Sequence, residues 1–299
     1  MNVQKNKAPD FPTDNFIRNL ERVLENLSYF KRRVFLNKRV VSNYPRFFYR
    51  YLSLDPTDDN SIKKLRDVIV NSSLWLSSRE GFNDPFDLKA KYIIEGGTLK
   101  FRNKINKLLK IHNPELGGVK RTKEINRIMA SQPNLLKNLN NTMTNSLESI
   151  GVCCFTVDPR NLLMWSHYAS HHRGIVLQFE LARDTSAFLK NVRVVYVNDY
   201  PLLNWANETE SEISKSFLNK FKTWEYEKEW RMVHIFGANS YINFKPEALT
   251  GVIFGCKADG NIKNAVNEML AERTQKNMPP VNTYNTSMHD SKYRLVIKK

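Results

Sequence analysis

Long apolar runs are absent from this sequence of 299 residues, and none approaches the roughly 20 residues that a transmembrane helix requires. The opening stretch, MNVQKNKAPDFPTDN, is too polar for a secretory signal peptide. The three cysteines, Cys153, Cys154 and Cys256, are too few for a disulfide framework, so reduced and packed thiols are the expected state. We therefore predict a cytoplasmic protein without a membrane partner.

Glycine-rich phosphate loops are also lacking, since neither a GxGxxG pattern nor a Walker-type loop occurs. His167 and His171 have a helical spacing that can bind zinc, but no HExxH pattern accompanies them and no third ligand is evident. Cys153 and Cys154 lie within a predicted strand, where no activating partner for a nucleophilic thiol can be named. We predict no metal site, which also disfavours a metal-dependent nuclease.

Acidic residues are outnumbered, because 46 Lys and Arg against 30 Asp and Glu give a net charge of +16. This charge predicts attraction to polyanions, with nucleic acid first, although a basic solubilising surface would have the same composition. The surplus is uneven, with 11 basic against 4 acidic residues in 1–50 and 9 against 2 in 100–127. The residues expected to contact phosphates are Arg32, Arg33, Lys38, Arg39, Lys100, Arg102, Lys104 and Lys107.

The spacing of apolar residues changes along the chain and predicts an α+β fold. Helical spacing predicts one amphipathic helix over 14–37 within a basic arm at 1–44, and a helical insertion at about 98–150 within a core at 45–299. The predicted strands are 47–52, 73–78, 151–157, 174–179, 192–197, 224–235, 249–255 and 293–297. Further helices are predicted from residue 60 onward and over 161–170, 207–222 and 260–276.

The stretch WEYEKEWRMVHI at 224–235 alternates large apolar and charged residues, as a β-strand does. Glu227, Glu229 and Arg231 would share one face, on which neighbouring carboxylates lie roughly 7 Å apart. A solvated outer face is one interpretation. Burial is the other, because aromatic residues this dense prefer the interior and an apolar run at 249–255 would form a buried neighbouring strand. Lys228 interrupts the apolar row, which indicates an edge or a twist.

Other polar residues cluster at strand ends, in a turn and on a short helix. The turn Phe82-Asn83-Asp84-Pro85-Phe86-Asp87 contains side chains that can bond their own backbone, so a rigid turn without a ligand is an open alternative there. The clusters that could take part in chemistry are Tyr49-Arg50-Tyr51, Ser77-Ser78 with Asn83-Asp84, and Trp165-Ser166-His167-Tyr168.

Five strings occur in order along the chain: FYRYLSL, LWLSSREGFNDPFD, CFTVDPRNLLMWSHYASHHRGIVLQFE, YEKEWRMV and VIFG. Together they resemble a widespread bacterial family of unknown function often found near phage-defence genes, over about 47–99 and 151–255. That family is in turn similar to the ADP-ribosyltransferases, with the DNA-modifying DarT-type toxins as the nearest analogues. The shared features are a strand and helix at 49–70, a PRNPM-like segment at 159–164 and a late-strand glutamate at Glu229. The first-strand histidine of the toxins is absent, and Arg50 or Tyr51 stands in its place.

The resemblance implies an ADP-ribosyltransferase-like fold with a split mixed or antiparallel sheet, and NAD as the cofactor. Cleavage of the nicotinamide–ribose bond passes through an oxocarbenium-like state, which a carboxylate stabilises. Glu229 is the expected catalytic carboxylate, and Glu227 would orient or activate the acceptor. The residues expected to bind NAD are Tyr49, Arg50 (at the pyrophosphate), Tyr51, Ser77, Ser78, Asn83, Asp84, Trp165, His167 and Tyr168, with Tyr51 or Trp165 stacking on nicotinamide or on a target base.

The function that these features predict is transfer of ADP-ribose from NAD to a DNA or RNA base, in a bacterial anti-phage defence or toxin–antitoxin system. An antitoxin or chaperone protein is a further expected partner. The alternative is a non-catalytic nucleic-acid-binding or sensor module, in which Glu227, Glu229 and Arg231 form an ion-pair network.

Overall fold

The structure is a computed structural model that describes residues 14–36, 44–95, 98–206 and 217–299. Lys38, Arg39 and most of the helix predicted at 207–222 lie outside the described residues. The chain divides into two compact units. We call Met1–Ser78, Gly151–Val194 and Thr223–Lys299 the sheet unit, and we call Arg79–Ile150 and Val195–Lys222 the helical unit.

Helices and strands are mixed along the chain, as expected for an α+β fold. The helices are α1 (Asp14–Glu25), α2 (Tyr29–Leu36), α3 (Asp59–Ile69), α4 (Thr98–His112), α5 (Gly118–Ala130), α6 (Gln132–Glu148), α7 (Leu162–Tyr168), α8 (Thr185–Phe188) and α9 (Gly260–Gln275). The strands are β1 (Phe47–Leu52), β2 (Ser73–Leu76), β3 (Lys91–Ile93), β4 (Gly151–Thr156), β5 (Ile175–Glu180), β6 (Val192–Arg193), β7 (Val195–Val197), β8 (Leu202–Asn204), β9 (Asn219–Phe221), β10 (Glu229–His234), β11 (Ser240–Asn243), β12 (Leu249–Phe254), β13 (Asn282–Met288) and β14 (Leu295–Lys298). In the ranges that the structure describes, no helix combines the length and the apolarity needed to cross a bilayer.

An eight-stranded sheet organises the sheet unit, in the order β14-β13-β12-β5-β1-β4-β10-β6. Adjacent strands are antiparallel, except that β12 and β13 run parallel. A separate antiparallel pair, β2 with β11, is joined to β4 by a bridge between Ser77 and Val152. The mixed, mostly antiparallel sheet confirms the coarse fold prediction, whereas the ADP-ribosyltransferase-like arrangement stays a prediction.

One face of this sheet carries the main hydrophobic core. Phe48, Phe155 and Trp230 project from the central strands β1, β4 and β10, and the rings of Phe48 and Trp230 meet edge to face at 5.6 Å. Phe188 from α8 stacks on Phe48 at 5.9 Å. Burial of each such side chain contributes about 1.5–3 kcal/mol, so this aromatic cluster fixes which faces of β1, β4 and β10 turn inward.

The opposite face of the sheet carries a smaller core beneath α7. Trp165 from α7 is fully buried, and its ring meets Tyr51 of β1 edge-on at 5.2 Å. Val176 and Ile253, from β5 and β12, complete the apolar floor. Because side chains alternate along a strand, Tyr49 and Tyr51 face α7, and Phe48 and Arg50 face the main core.

The predicted helix over 14–37 is interrupted, because α1 ends at Glu25 and α2 begins at Tyr29. The Arg32 side chain on α2 binds the C-terminal end of α1, since its Nε donates a hydrogen bond to the Leu24 carbonyl oxygen at 2.7 Å. Carbonyl groups at a helix C-terminus lack partners within the helix. Arg32 therefore acts as a cap in this structure, which differs from its expected role at a phosphate.

The helical unit contains α4, α5 and α6, which lie in the range predicted as a helical insertion. Two short parallel pairs, β3 with β8 and β7 with β9, accompany the helices. The core includes Phe101 and Trp205, with ring centroids 5.8 Å apart, and the Lys104 ammonium lies 4.4 Å from the centre of the Trp205 ring. Asp87 and Lys220 form a buried ion pair at 3.6 Å.

Three strand predictions differ from the structure. Residues 222–227 form a 3-10 turn, so the strand predicted at 224–235 begins only at Glu229. The cause is the backbone of Lys228, whose φ of 47° is incompatible with an extended strand. The run predicted as a buried neighbour of this strand, β12, instead pairs with β5 and β13, whereas β10 lies between β4 and β6. The strand predicted at 192–197 is divided between β6 and β7.

Candidate active site

The start of β10 holds a buried ion pair between Glu229 and Arg231. The Arg231 Nε donates to Glu229 Oε1 at 2.8 Å, and the exposed fractions of the two side chains are 0% and 4% for Arg231 and Glu229. Residues two apart lie on one face of a strand, so these side chains meet on the α7 face, opposite Trp230. The interpretation of a solvated outer face is therefore wrong for this pair.

Glu227 lies nearby but not on the strand. It ends the 3-10 turn, and its carboxylate accepts a hydrogen bond of 2.6 Å from the Tyr168 hydroxyl at the end of α7. Its carbonyl oxygen accepts a second bond, of 2.6 Å, from the Thr156 hydroxyl on β4. Glu227 is only 3% exposed. The expectation that Glu227 and Glu229 are one strand step apart is wrong, because the chain turns at Lys228 between them.

The loop between β4 and α7 links these groups to the sheet. Asp158 accepts hydrogen bonds from the Tyr51 hydroxyl at its carbonyl oxygen and from the Arg160 N–H at Oδ1. Its Oδ2 pairs with the Lys228 ammonium at 3.1 Å. The Asn161 side chain caps α7 and donates to the Tyr226 carbonyl oxygen at 2.8 Å. Residues Pro159-Arg160-Asn161, which we call the PRN loop, therefore hold both the helix that carries Tyr168 and the turn that carries Glu227.

Tyr49 shares a row of the sheet with Glu229, because Thr156 pairs with both residues. The Tyr49 side chain is half-buried, and burial raises its pKa, an effect that the positive charge of Arg160 partly offsets. Arg160 and Asp158 were not among the predicted site residues. The PRNPM-like resemblance at 159–164 could have identified Arg160, whereas Asp158 precedes that segment.

Trp165 and Tyr51 do not fit the stacking role predicted for them. Trp165 is 0% exposed, and its indole N–H donates to the Pro159 carbonyl oxygen at 2.9 Å. Burial raises the pKa of Tyr51 well above its usual value, and its hydroxyl is bonded to Asp158. Both rings are core residues that support the PRN loop.

Arg50 lies on the wrong face of the sheet for the role predicted at the pyrophosphate. Its guanidinium donates to the Cys153 thiol on the main-core side, opposite Tyr49 and Glu229. Burial raises the pKa of the Cys153 thiol, which agrees with the prediction of a packed structural cysteine. Because side chains alternate along a strand, the sequence already places Arg50 on the face of β1 opposite to Tyr49 and Tyr51.

The serine and turn residues have mainly structural contacts. Ser77 forms a β-bridge with Val152, which lies two positions along β4 from Cys154, the pairing partner of Arg231. The Ser78 N–H donates a hydrogen bond to the Asn239 side chain at 3.2 Å. Asn83 and Asp84 belong to the helical unit. The buried Asp84 carboxylate accepts from the Phe86 N–H at 2.8 Å, which favours the rigid-turn alternative for this segment.

The histidines contain no visible metal site. His167 and His171 are both exposed. Among the described residues, no group of three His, Cys, Asp or Glu side chains has the geometry to hold a metal ion. The His172 side chain is held by two contacts, since its Nε2 lies 3.2 Å from the Ser166 hydroxyl and its ring stacks at 6.2 Å on Trp165.

The predicted phosphate-binding residues differ in their availability. Arg102 donates to Asn126 at 2.7 Å, and Lys104 donates to the Trp205 carbonyl oxygen, so both have structural partners as Arg32 does. Lys100 and Lys107 on α4 are exposed, whereas Arg33 on α2 is half-buried. The exposed lysines of α4 therefore remain the best candidates among the described residues.

Comparison with known protein families gives a match over part of the chain. Residues 164–232 match the model of a family described as "Protein of unknown function (DUF2971)". The matched segment begins in α7 and ends in β10, so it contains Tyr168, Glu227, Glu229 and Arg231. No curated protein matches the chain. No solved structure matches it.

Proposed function

We propose that the protein is an NAD-dependent ADP-ribosyltransferase that modifies a base of DNA or RNA, in a bacterial defence or toxin–antitoxin setting. The observation that supports this proposal is the pair of carboxylates at the entry to β10. Glu227 and Glu229 are each 3% exposed, and ionised groups are rarely buried without a partner or a chemical role. The family match extends over both of them.

The chemistry requires negative charge beside a ribose that becomes cationic. Loss of nicotinamide leaves an oxocarbenium-like centre, and a carboxylate held in a low-dielectric site stabilises it more strongly than water does. In the proposal, Glu229 has this role and Arg231 fixes its orientation. Glu227 would accept the proton of the acceptor base, with the Tyr168 hydroxyl, 2.6 Å from its carboxylate, as its hydrogen-bond partner.

Binding of the cofactor is assigned differently from the sequence prediction. Arg160 replaces Arg50 as the proposed partner of the NAD pyrophosphate, because its side chain is exposed on the PRN loop and its charge acts on Tyr49. Tyr49 is the proposed aromatic contact, since Trp165 and Tyr51 are buried in the core. The exposed lysines of α4 would attract the nucleic acid.

One observation favours a second candidate, a non-catalytic nucleic-acid-binding or sensor module. The Glu229–Arg231 pair is almost completely buried. A buried ion pair can have a purely structural role, in which it specifies how the core packs. In this alternative the basic surfaces bind nucleic acid, and NAD has no role.

The experiment that separates the two candidates is incubation of the purified protein with NAD labelled in its adenylate, together with cellular DNA, RNA and protein. The proposal predicts label in the nucleic-acid fraction, release of nicotinamide and a rise in melting temperature with NAD. Arg160→Ala should reduce the NAD-dependent rise, whereas Arg173→Ala, an exposed arginine outside the PRN loop, should leave it unchanged. Nucleic-acid binding without nicotinamide release at millimolar NAD would select the sensor module.

A further inference from the structure

A cavity of about 560 Å³ lies in the sheet unit, between the α7–β5 connection and the loop that joins β13 to β14. Its lining includes Leu162, His172, Lys257, Lys292, Tyr293 and Arg294. Small-molecule sites typically have volumes of about 300–1,000 Å³. The cavity is therefore large enough for a ligand of nucleotide size, and it contains neither Glu227 nor Glu229.

The lining is strongly cationic. Lys257, Lys292 and Arg294 line the cavity with a single carboxylate, Asp290. Within the described part of the chain, none of these three cations forms an ion pair with a carboxylate. A cleft lined mainly by charges of one sign concentrates ions of the opposite sign. The composition of the lining favours a ligand that carries a phosphate group.

His172 lines the cavity and carries a buried polar atom that could bind a polar ligand. Over the residues that the structure describes, its buried Nδ1 atom has no hydrogen-bond partner. Leaving a buried polar atom without a partner is unfavourable. Burial lowers the pKa of His172, and the nearby charge of Lys257 lowers it further. This favours a neutral imidazole, which can form a hydrogen bond with a ligand.

The backbone around His172 is held in an unusual conformation. Ser170, His171 and His172 all have positive φ, with values of 47°, 54° and 69°. Three consecutive residues of this kind are strained, and such strain concentrates at functional sites. Gly255 maintains the arrangement, because a Cβ at that position would collide with the His172 carbonyl oxygen. The Lys257 N–H donates to the same oxygen at 3.0 Å.

The rim of the cavity is apolar and aromatic. Tyr293 is 101% exposed and Met288, at the end of β13, is 74% exposed. The loop that carries Tyr293 is closed by a hydrogen bond of 3.0 Å from the His289 N–H to the Arg294 carbonyl oxygen. An exposed aromatic ring beside cations is the arrangement on which nucleic-acid bases stack.

We propose that this cavity binds a nucleoside phosphate, with the phosphate between Lys257, Lys292 and Arg294 and the base against Tyr293. The ligand is either a free mononucleotide or the phosphorylated terminal nucleotide of a nucleic-acid strand. The inference stands apart from the transferase proposal, because it uses neither the carboxylates of β10 nor NAD.

The test is isothermal titration calorimetry of the full chain with adenosine monophosphate, inorganic phosphate, adenosine and a 5′-phosphorylated tetra-adenylate. Adenosine monophosphate should bind more tightly than phosphate, and adenosine should bind least. The double variant Lys292→Gln/Arg294→Gln should weaken binding of the monophosphate by roughly ten-fold to a hundred-fold, because it removes two charge-assisted contacts. Tighter binding of the tetra-adenylate than of the monophosphate would identify a strand end as the ligand, and the reverse order would identify a free nucleotide.

The matched control is Lys298→Gln/Lys299→Gln, which removes the same charge from the end of the same hairpin but outside the cavity lining. Equal weakening in both double variants would mean general charge attraction and would overturn the proposal. So would the absence of binding by the monophosphate at millimolar concentration.

A second readout locates the ligand. Cys256 lines the cavity, whereas Cys154 lies on β4 and does not line it, and both are partly exposed. The monophosphate should slow alkylation of Cys256 by iodoacetamide and leave alkylation of Cys154 unchanged, as measured by mass spectrometry. Protection of both thiols, or of neither, would contradict binding in this cavity.

Discussion

Replacement of Arg231 by Met removes the guanidinium from the buried pair at the start of β10 and leaves the Glu229 carboxylate without this cation. Because the two side chains are 0% and 4% exposed, solvent cannot replace the lost partner. Breaking a buried ion pair costs about 3–5 kcal/mol. With a urea dependence of about 3 kcal/mol per molar, the midpoint of unfolding should fall by roughly 1–1.7 M.

The assay is urea unfolding at pH 7 followed by circular dichroism, and two further variants make it specific. Glu229→Gln/Arg231→Met should recover much of the loss, because a neutral amide is far less costly to bury than a carboxylate. Arg193→Met, on the neighbouring strand β6 and exposed, should change stability by less than about 0.5 kcal/mol. A loss below about 1 kcal/mol in Arg231→Met, or no recovery in the double variant, would refute the argument that this pair is buried and interdependent.

Three further predictions concern other contacts. Hydrogen bonds from arginine and tyrosine lower the pKa of Glu180 despite its burial, so the folded protein binds fewer protons at this carboxyl group than the unfolded chain does. Glu180→Gln should therefore destabilise the protein at pH 7, and the difference in unfolding free energy should shrink as pH falls below about 4.5 towards the lowered pKa, whereas a difference independent of pH would contradict this. The Cys153 thiol should resist iodoacetamide in native protein far longer than Cys256, as followed by mass spectrometry, because burial raises its pKa; equal rates would be inconsistent with its packing. Lys100→Gln/Lys107→Gln should reduce the slope of log affinity against log salt for an oligonucleotide by roughly 1.4–1.8, measured by fluorescence anisotropy, and an unchanged slope would show that these lysines of α4 do not contact phosphates.

Local patterns predicted much of the secondary structure. Alternation and apolar runs located β1, β4, β5, β10 and β12, because one or both faces of these strands are buried. The break at Lys228 was indicated by its interruption of the apolar row, but the 3-10 turn before it was not. The same aromatic residues that suggest a strand, Trp224 and Tyr226, are compatible with such a turn.

Contacts between distant segments could not be predicted from the sequence. Tyr168 and Glu227 lie 59 positions apart, and no local pattern relates them. The order of strands in the sheet separates β10 from β12, although the two are consecutive among the longer predicted strands. Trp165 shows a third limit, because an aromatic residue in a polar cluster can be either a ligand contact or core. Only the fold determines which, and here it is core.

The most direct measurement of the central claim is the rate of nicotinamide release and of label transfer from NAD to nucleic acid, compared between the unaltered protein and Glu229→Gln. Glutamine keeps the size and the hydrogen-bond acceptor of the side chain but removes the charge that stabilises the oxocarbenium centre. Circular dichroism checks that the variant is folded. We predict transfer by the unaltered protein and a loss of several orders of magnitude in Glu229→Gln. Transfer retained in Glu229→Gln but lost in Glu227→Gln would assign the chemistry to the other carboxylate. No release of nicotinamide by the unaltered protein, with nucleic acid and NAD both present, would contradict the claim.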